Sequence, residues 1–238
     1  MTRRFRPQVL APTGPPRFPD PRRADAEGLV AVGGALSPPW LLEAYRNGIF
    51  PWYELGVPPL WWSPDPRAVF TPDSLHVSRS LARTIRRGGF TLHFDTAFVE
   101  VMQACAEDRE DGTWILPEMI DAYAALHRLG HAHSVEVRVD GALAAGLYGV
   151  QIGGFFAAES KFHRVTDLSK VALVAAVRSF FARGIALFDV QLPTEHLNSL
   201  GAVAVPRASY LELLARAVLR EVDLRGISLD CGVGVAST

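Results

Sequence analysis

Glu159, Asp189 and Gln191 are the residues of this chain whose types and spacing could do chemistry. A carboxylate pairs with cations and accepts hydrogen bonds, and a primary amide donates and accepts at once, so together they could anchor a cation and orient an amine. They lie in the stretch 154–200. It reads as a strand bearing Glu159, a polar turn, a long apolar helix, a second strand ending in Asp189, Val190 and Gln191, and a short helix closing at Gly201. In a parallel or near-parallel β-helix-β unit both polar strand ends reach one edge of the sheet. Asp189 and Gln191, two apart, leave the strand on one face and Val190 on the other. Plain polar caps at strand ends fit the spacing equally well, and spacing alone leaves both readings open.

A second set is aromatic. Trp52, Trp61 and Trp62 sit in proline-bracketed loops and Trp114 follows the polar run 107–113. Large rings in loops need a packing partner or a ligand. A small aromatic core is the reading for Trp61 and Trp62; for Trp52 a platform for a nucleobase competes with it, because stacking is worth about 1–3 kcal/mol per base. The third set is basic: Arg79, Arg83, Arg86 and Arg87 fall on or near one face of a helix expected over 76–87. A solvated charged face is the default there, and a phosphate backbone is the functional alternative.

The elements that must position these groups follow from local pattern. Ser37 and Pro38 open a short amphipathic helix that Gly48 ends. Residues 90–94 alternate as a strand, 97–106 and 117–129 read as helices, and Asp140-Gly141 is a hairpin turn between two Val/Leu/Ala-rich strands. Gly146 and Gly149 weaken the second of those strands and admit a close approach to its backbone. His131 and His133, without a third ligand at suitable spacing, read as strand-edge residues. A helix over 209–222 follows, and the segment after it and residues 1–27, rich in Pro and Arg, read as a frayed tail and a poorly packed arm.

The 238 residues, 49% hydrophobic and 21% charged, make a globular chain with a sizeable core. Its apolar runs fall short of a bilayer span, and the Pro/Arg-rich start does not read as a signal peptide, so a cytoplasmic protein is expected. Cys105 and Cys231 form neither a disulfide framework nor metal-ligand spacing. A net charge of -1 leaves any polyanion to local patches.

The order of the motifs carries more than their spacing. The run Ala158-Glu159-Ser160-Lys161-Phe162, the helix opening at Ser169-Lys170, then Phe188-Asp189-Val190-Gln191 and His196-Leu197-Asn198-Ser199-Leu200-Gly201 resemble the core of the leucyl/phenylalanyl-tRNA-protein transferases. The block from Gly28 to Phe70, with Gly48-Ile49-Phe50-Pro51-Trp52 and Trp61-Trp62-Ser63-Pro64-Asp65-Pro66-Arg67, resembles the same family's N-terminal signature. Ala35 and Lys161 depart from it, standing where the family usually has Asp and Met.

The resemblance covers roughly residues 28–215. It implies an α/β (α+β) fold: an acetyltransferase-like mixed-sheet domain over 66–238 after a small domain over 1–65. It implies transfer of leucine or phenylalanine, less readily methionine, from charged tRNA to proteins beginning with Arg or Lys, which marks them for degradation. No cofactor, metal or membrane is implied, and a monomer is expected. By resemblance Asp189, Gln191 and Glu159 serve catalysis, Trp52 and Trp114 hold the aminoacyl-adenosine, Arg79, Arg83, Arg86 and Arg87 meet tRNA phosphate, and Leu147, Phe156, Ala158, Lys161, Leu173 and Phe188 line the side-chain pocket. A neutral amide oxygen is a poor base. Gln191 is therefore expected to orient the amine, Asp189 to fix the flip of its amide, and Glu159 to anchor either the aminoacyl ammonium or the acceptor's basic side chain. Lys161 is expected to keep its stem in the pocket wall and its charge in water, with Glu159 near it. An acyl-CoA-dependent acetyltransferase and a non-catalytic tRNA-binding module are the rival classes. The turn before Ser169 lacks the glycines that cradle pyrophosphate, and a binding module has no need of three convergent polar groups.

Overall fold

The computed structural model describes residues 7–107 and 113–232. Before residue 65 the chain forms a four-stranded sheet of order β1-β2-β4-β3, from β1 (Gln8–Leu10), β2 (Leu29–Gly33), β3 (Phe50–Pro51) and β4 (Leu60–Trp62), with α1 (Pro38–Arg46) between β2 and β3. The remainder builds a seven-stranded sheet from β5 (Arg67–Phe70), β6 (Thr91–Phe94), β7 (Ala132–Val139), β8 (Ala142–Ile152), β9 (Phe155–His163), β10 (Leu187–Gln191) and β11 (Val203–Val205). Its order is β11-β5-β10-β9-β8-β7-β6, and every neighbouring pair is antiparallel except β9 with β10. The fold is thus mixed α/β.

The parallel pair follows from its connection. The helix α5 (Leu168–Arg183) crosses between β9 and β10, and such a crossover returns the chain in the same direction. Nearly all of α5 is buried, because it is apolar round most of its circumference and packs on one face of the sheet. Gly184, at φ 114°, ends it by capping the Phe180 and Phe181 carbonyls. Beside it lies α2 (Arg79–Arg87), turning Leu81 and Ile85 into that core.

On the other face lie α3 (Phe98–Glu107), α4 (Pro117–Arg128) and α7 (Arg207–Ala217), and their core runs without a break into the small sheet through Tyr45, Phe50 and Trp61. Strand alternation feeds both cores: Phe155 and Ala157 face the α3/α4 side, Phe156 the α5 side. A short helix, α6 (Glu195–Ser199), leads from β10 to β11.

The hairpin at Asp140 and Gly141 forms with both residues at positive φ, 49° and 79°, as a two-residue turn between twisted strands requires. Two expectations fail. Residues 7–27 are not a loose arm: β1 pairs in parallel with β2, and the Phe18 ring packs edge-on to Trp40 and Trp61. Nor is the segment after α7 frayed as far as residue 232. Leu224 and Cys231 are buried against the α5 core, and Ser179 Oγ accepts from the Asp230 N–H at 2.8 Å. In both cases a few apolar side chains in polar, proline- or glycine-rich sequence suffice to anchor the backbone.

Candidate active site

The site opens where β9 and β10 part. Their pairing ends at Ala157 opposite Asp189, while β9 runs on to His163 and β10 stops at Gln191. Both strands break alternation there. Between β8 and β9 the register slips so that Glu159 has no partner, with Gly149 opposite Ala158 and Tyr148 opposite Ser160. A Cβ on Gly149 would collide with the Ala157 carbonyl and the Phe156 ring, so the bulge requires glycine. The close approach expected at this glycine is that of the neighbouring strand. On β10 the slip leaves out Val190, and Gln191 sits at φ 62°, a conformation that costs a residue with a Cβ about 1–3 kcal/mol.

These irregularities bring Glu159 and Gln191 together. Gln191 Nε2 donates to Glu159 Oε1 at 2.6 Å. They share a pocket of about 200 Å³ with Leu147, Ala158, Ser160, Lys161, Leu173, Val190 and Leu197. Burial pushes the Glu159 carboxyl up to about 8, with Asp189 adding to the rise and the Tyr45 and Gln191 hydrogen bonds and Arg67 opposing it. That rise favours the protonated carboxyl at neutral pH.

Asp189 lies beneath this pocket, not in it. It is fully buried and takes the Arg67 guanidinium, Nε to Oδ1 at 3.0 Å and Nη2 to Oδ2 at 2.7 Å, and the Tyr210 hydroxyl at 2.8 Å. Arg67 lies over the Phe50 and Tyr210 rings and donates to the Gly48 carbonyl at 3.1 Å. Burial works against the Arg67 charge, but the Asp189 carboxylate and the Tyr210 contact outweigh it and hold its pKa above the ordinary value. Asp189 does not set the flip of the Gln191 amide, the role expected of it from the resemblance. Its Oδ1 accepts the Gln191 backbone N–H at 2.8 Å and so holds the turn, while Glu159 holds the amide.

Of the six residues expected in the side-chain pocket, Leu147, Ala158, Lys161 and Leu173 line it. Phe156 and Phe188 stand behind the wall, fully buried, with ring centroids 5.1 Å apart and both beside Phe180. Lys161 is half-buried and also lines a polar cavity of about 440 Å³ with His163, Lys170 and His196. Burial first, then the charges of Lys161, Lys170 and His163, hold His196 below its ordinary value. Bordering both cavities, Lys161 stands where a lysine can keep its stem in an apolar wall and its charge on the polar side.

The aromatic residues form a separate cleft of about 700 Å³, lined by Trp52, Tyr53, Glu54, Leu55, Val57, Leu60, Trp62, Thr113 and Trp114. Trp52 is 44% exposed. Its carbonyl accepts from Trp62 Nε1 at 2.7 Å, which fixes the two indoles 6.2 Å apart. Trp61 is core, as expected. Trp62 is not: alternation along β4 sends it to the cleft, and that period-two pattern was the available signal. The four arginines of α2 are exposed and make no ion pair among the described residues, on a helix apart from both cavities. His133 is an internal residue, not an edge: Nδ1 lies 2.6 Å from Asp95 Oδ2, and Phe94 stacks on its ring.

Arg67, Tyr45, Tyr123 and Tyr210, all fully buried around the two carboxyls, escape a sequence reading. Their positions in helices and strands are ordinary apolar positions by periodicity, and nothing local marks a hydroxyl or guanidinium turned to a distant carboxylate.

A bulged parallel strand pair holding a buried carboxyl and an amide over an apolar pocket defines an α/β enzyme, and the comparisons give it a family. The sequence model described as "Leucyl/phenylalanyl-tRNA protein transferase" matches residues 69–215, and that for the N-terminal domain of the same proteins matches residues 34–65. Proteins named leucyl/phenylalanyl-tRNA--protein transferase are similar over most of their length. That of Anaeromyxobacter sp. (strain Fw109-5) is 54% identical over 219 residues, 90% of this chain and 93% of that one. The Aromatoleum aromaticum protein is 54% identical over 206 residues, 85% and 87% of the two chains. A solved structure described as a GCN5-related N-acetyltransferase from Kribbella flavida superposes with a TM-score of 0.41 at 17% identity, over 71% of this chain and 61% of that one, a loose likeness that carries no weight. The chain belongs to the leucyl/phenylalanyl-tRNA protein transferase family, and it is an aminoacyltransferase that works between a charged tRNA and a protein.

Proposed function

We propose that this protein transfers leucine or phenylalanine, less readily methionine, from charged tRNA to the α-amine of proteins beginning with Arg or Lys, acting as a cytoplasmic monomer and marking those proteins for degradation. The observation that carries this reading is the Gln191–Glu159 pair at an apolar-walled pocket of about 200 Å³, large enough for one such side chain. With Nε2 given to Glu159, the amide oxygen of Gln191 is left to accept from an incoming amine. The amine nitrogen attacks the ester carbonyl carbon, the bond to the ribose oxygen breaks with its electron pair, and a proton of the amine passes to that oxygen. Free α-amines have a pKa of about 7.7–8.0, so an appreciable fraction is nucleophilic at neutral pH. Holding amine and ester in near-attack geometry supplies up to about 7–11 kcal/mol of the barrier. Asp189 acts through the Gln191 backbone, and Trp52 and Trp114 hold the terminal adenosine.

The test mixes the protein with tRNA carrying labelled Leu, Phe or Met, acetyl-CoA and peptides beginning with Arg, Lys or Ala. Label should pass from the tRNA to the Arg and Lys peptides alone; acetylation of peptide or no transfer sinks the reading. Run with Lys161→Met, the same assay should shift the preference among the three by about 1–3 kcal/mol per methylene and leave transfer intact. A natural chain that prefers an acidic aminoacyl group would overturn the substrate and not the reaction.

A further inference from the structure

The polar cavity of about 440 Å³ has no part in the transfer chemistry described above. Its wall takes Lys161 and His163 from β9, Asp167 and Lys170 from the start of α5, and His196 from α6. It shares Lys161 with the side-chain pocket, and α6 gives Leu197 to the pocket and His196 to the cavity, so the two are neighbours. Four nitrogen-bearing side chains from three elements thus meet one carboxylate. That carboxylate is already engaged: Lys170 Nζ donates to Asp167 Oδ1 at 2.7 Å, using one of its three donors. Lysines on an open surface spread into water, whereas charges of one sign gathered round a concavity raise the local potential for an anion. The surface beyond carries the same sign. The end of α6 packs against residues 74–76, where the His76 N–H donates to the Leu200 carbonyl at 2.8 Å and the Ser74 carbonyl leaves no room for a side chain at Gly201. Residues 74–76 lead directly into α2, whose four arginines are exposed; Asp73 and Glu195 are the carboxylates of these two segments.

We propose that this cavity seats a phosphate of the single-stranded 3' end of the charged tRNA, held by Lys170, His163 and His196 with Lys161 at the rim, and that the strand then follows α6 to the arginines of α2. This rests on the transfer reading above. An aminoacyl ester is one ribose away from the 5' phosphate of its own nucleotide, so a pocket that holds the aminoacyl group has a phosphate close to its mouth. The lysines supply charge and the imidazoles supply hydrogen bonds. An acidic side chain of the acceptor is the competing anion. The route along α6 favours RNA, because a peptide carboxylate needs the cavity alone and makes no use of a basic face on α2.

The experiment compares the parent with the double variant Lys170→Gln, His163→Ala, which leaves Lys161 and the pocket wall as they are. Three donors are used: phenylalanyl-adenosine, which has no phosphate; a phenylalanyl-CCA trinucleotide, which has single-strand phosphates and no duplex; and phenylalanyl-tRNA. In the variant KM for the trinucleotide and the tRNA should rise about fivefold with kcat kept, while KM for phenylalanyl-adenosine stays. The salt dependence of trinucleotide affinity should flatten by about 0.7, the share of one single-strand phosphate contact. Equal loss on all three donors, or no loss on the trinucleotide in a variant that melts with the parent, overturns the proposal. So does a variant that keeps the trinucleotide KM but loses a preference for an Arg-Asp over an Arg-Ala peptide, since the cavity would then belong to an acidic acceptor. Should the double variant not fold, His163→Ala alone, at an exposed position, repeats the test with the same signs. A parent that labels no peptide from any donor overturns instead the transfer reading. Calorimetry with uncharged CCA trinucleotide then decides the cavity: binding about fivefold weaker in the variant supports it, and unchanged binding overturns it.

Discussion

The pocket between β9 and β10 and the aromatic cleft of the small sheet are built on opposite plans. In the first, the polar groups hold one another: Gln191 is held by Glu159 and by Asp189, and Asp189 by Arg67 and Tyr210. Its backbone bulges and its positive φ at Gln191 persist because the surroundings over-determine them. In the second, a half-exposed indole stands on a loop, held through its backbone carbonyl and by one neighbouring ring. Under the proposed function the difference matches what each would do: reacting atoms need placement to within a fraction of an ångström, which only a dense network supplies, and a nucleobase needs a flat apolar face, which tolerates a looser frame.

The sharpest way to break this contrast is Asp189→Ala. It leaves the Arg67 guanidinium buried without its carboxylate, which should cost about 3–5 kcal/mol of folding stability in chemical denaturation, and transfer should be lost with the fold. A variant as stable as the parent would show that the network under the pocket is not rigid.

Next in size is Glu159→Gln, read as stability against pH. The folded carboxyl is raised to about 8 from 4.5, so the stability lost by burying it is absent below about 4.5 and grows as pH rises, complete above about 8. The variant should match the parent at pH 4 and exceed it by a few kcal/mol at pH 9. A gap that is the same at both ends would mean that Glu159 is not desolvated.

Trp52→Ala and Trp114→Ala should each weaken binding of a charged tRNA 3' end by about 1–3 kcal/mol and leave the melting temperature close to that of the parent. Unchanged affinity with lowered stability would make the cleft a second core and erase the contrast.

The smallest effect sharpens where the tRNA body lies. Replacing Arg83, Arg86 and Arg87 together should flatten the dependence of tRNA affinity on salt by roughly 0.9 per lost phosphate contact if the contacts are to duplex backbone. An unaltered slope would put the backbone on another face.

Much of this architecture was legible in local pattern. The β9-α5-β10 unit, the Asp140-Gly141 turn and the arginine face of α2 each follow from periodicity or φ preference over a few residues. The convergence of Glu159 and Gln191 was legible as well, because a crossover helix brings two strand ends to one edge.

What only the tertiary structure decided is which face each polar group meets. Alternation assigns faces only while a strand stays regular, and both strands bulge at the site, so Asp189 turns under the pocket while Gln191 turns back to Glu159. The partners of the two carboxyls are distant in sequence, 122 residues away for Asp189 in Arg67 and 32 for Glu159 in Gln191. Helical and strand periods carry no information over such distances, since they report a residue's burial and not its neighbour. Phe156 and Phe188 show the same limit: the sequence by itself determined that they are buried apolar rings, and the packing of α5 decided that they stand behind the pocket wall and not in it.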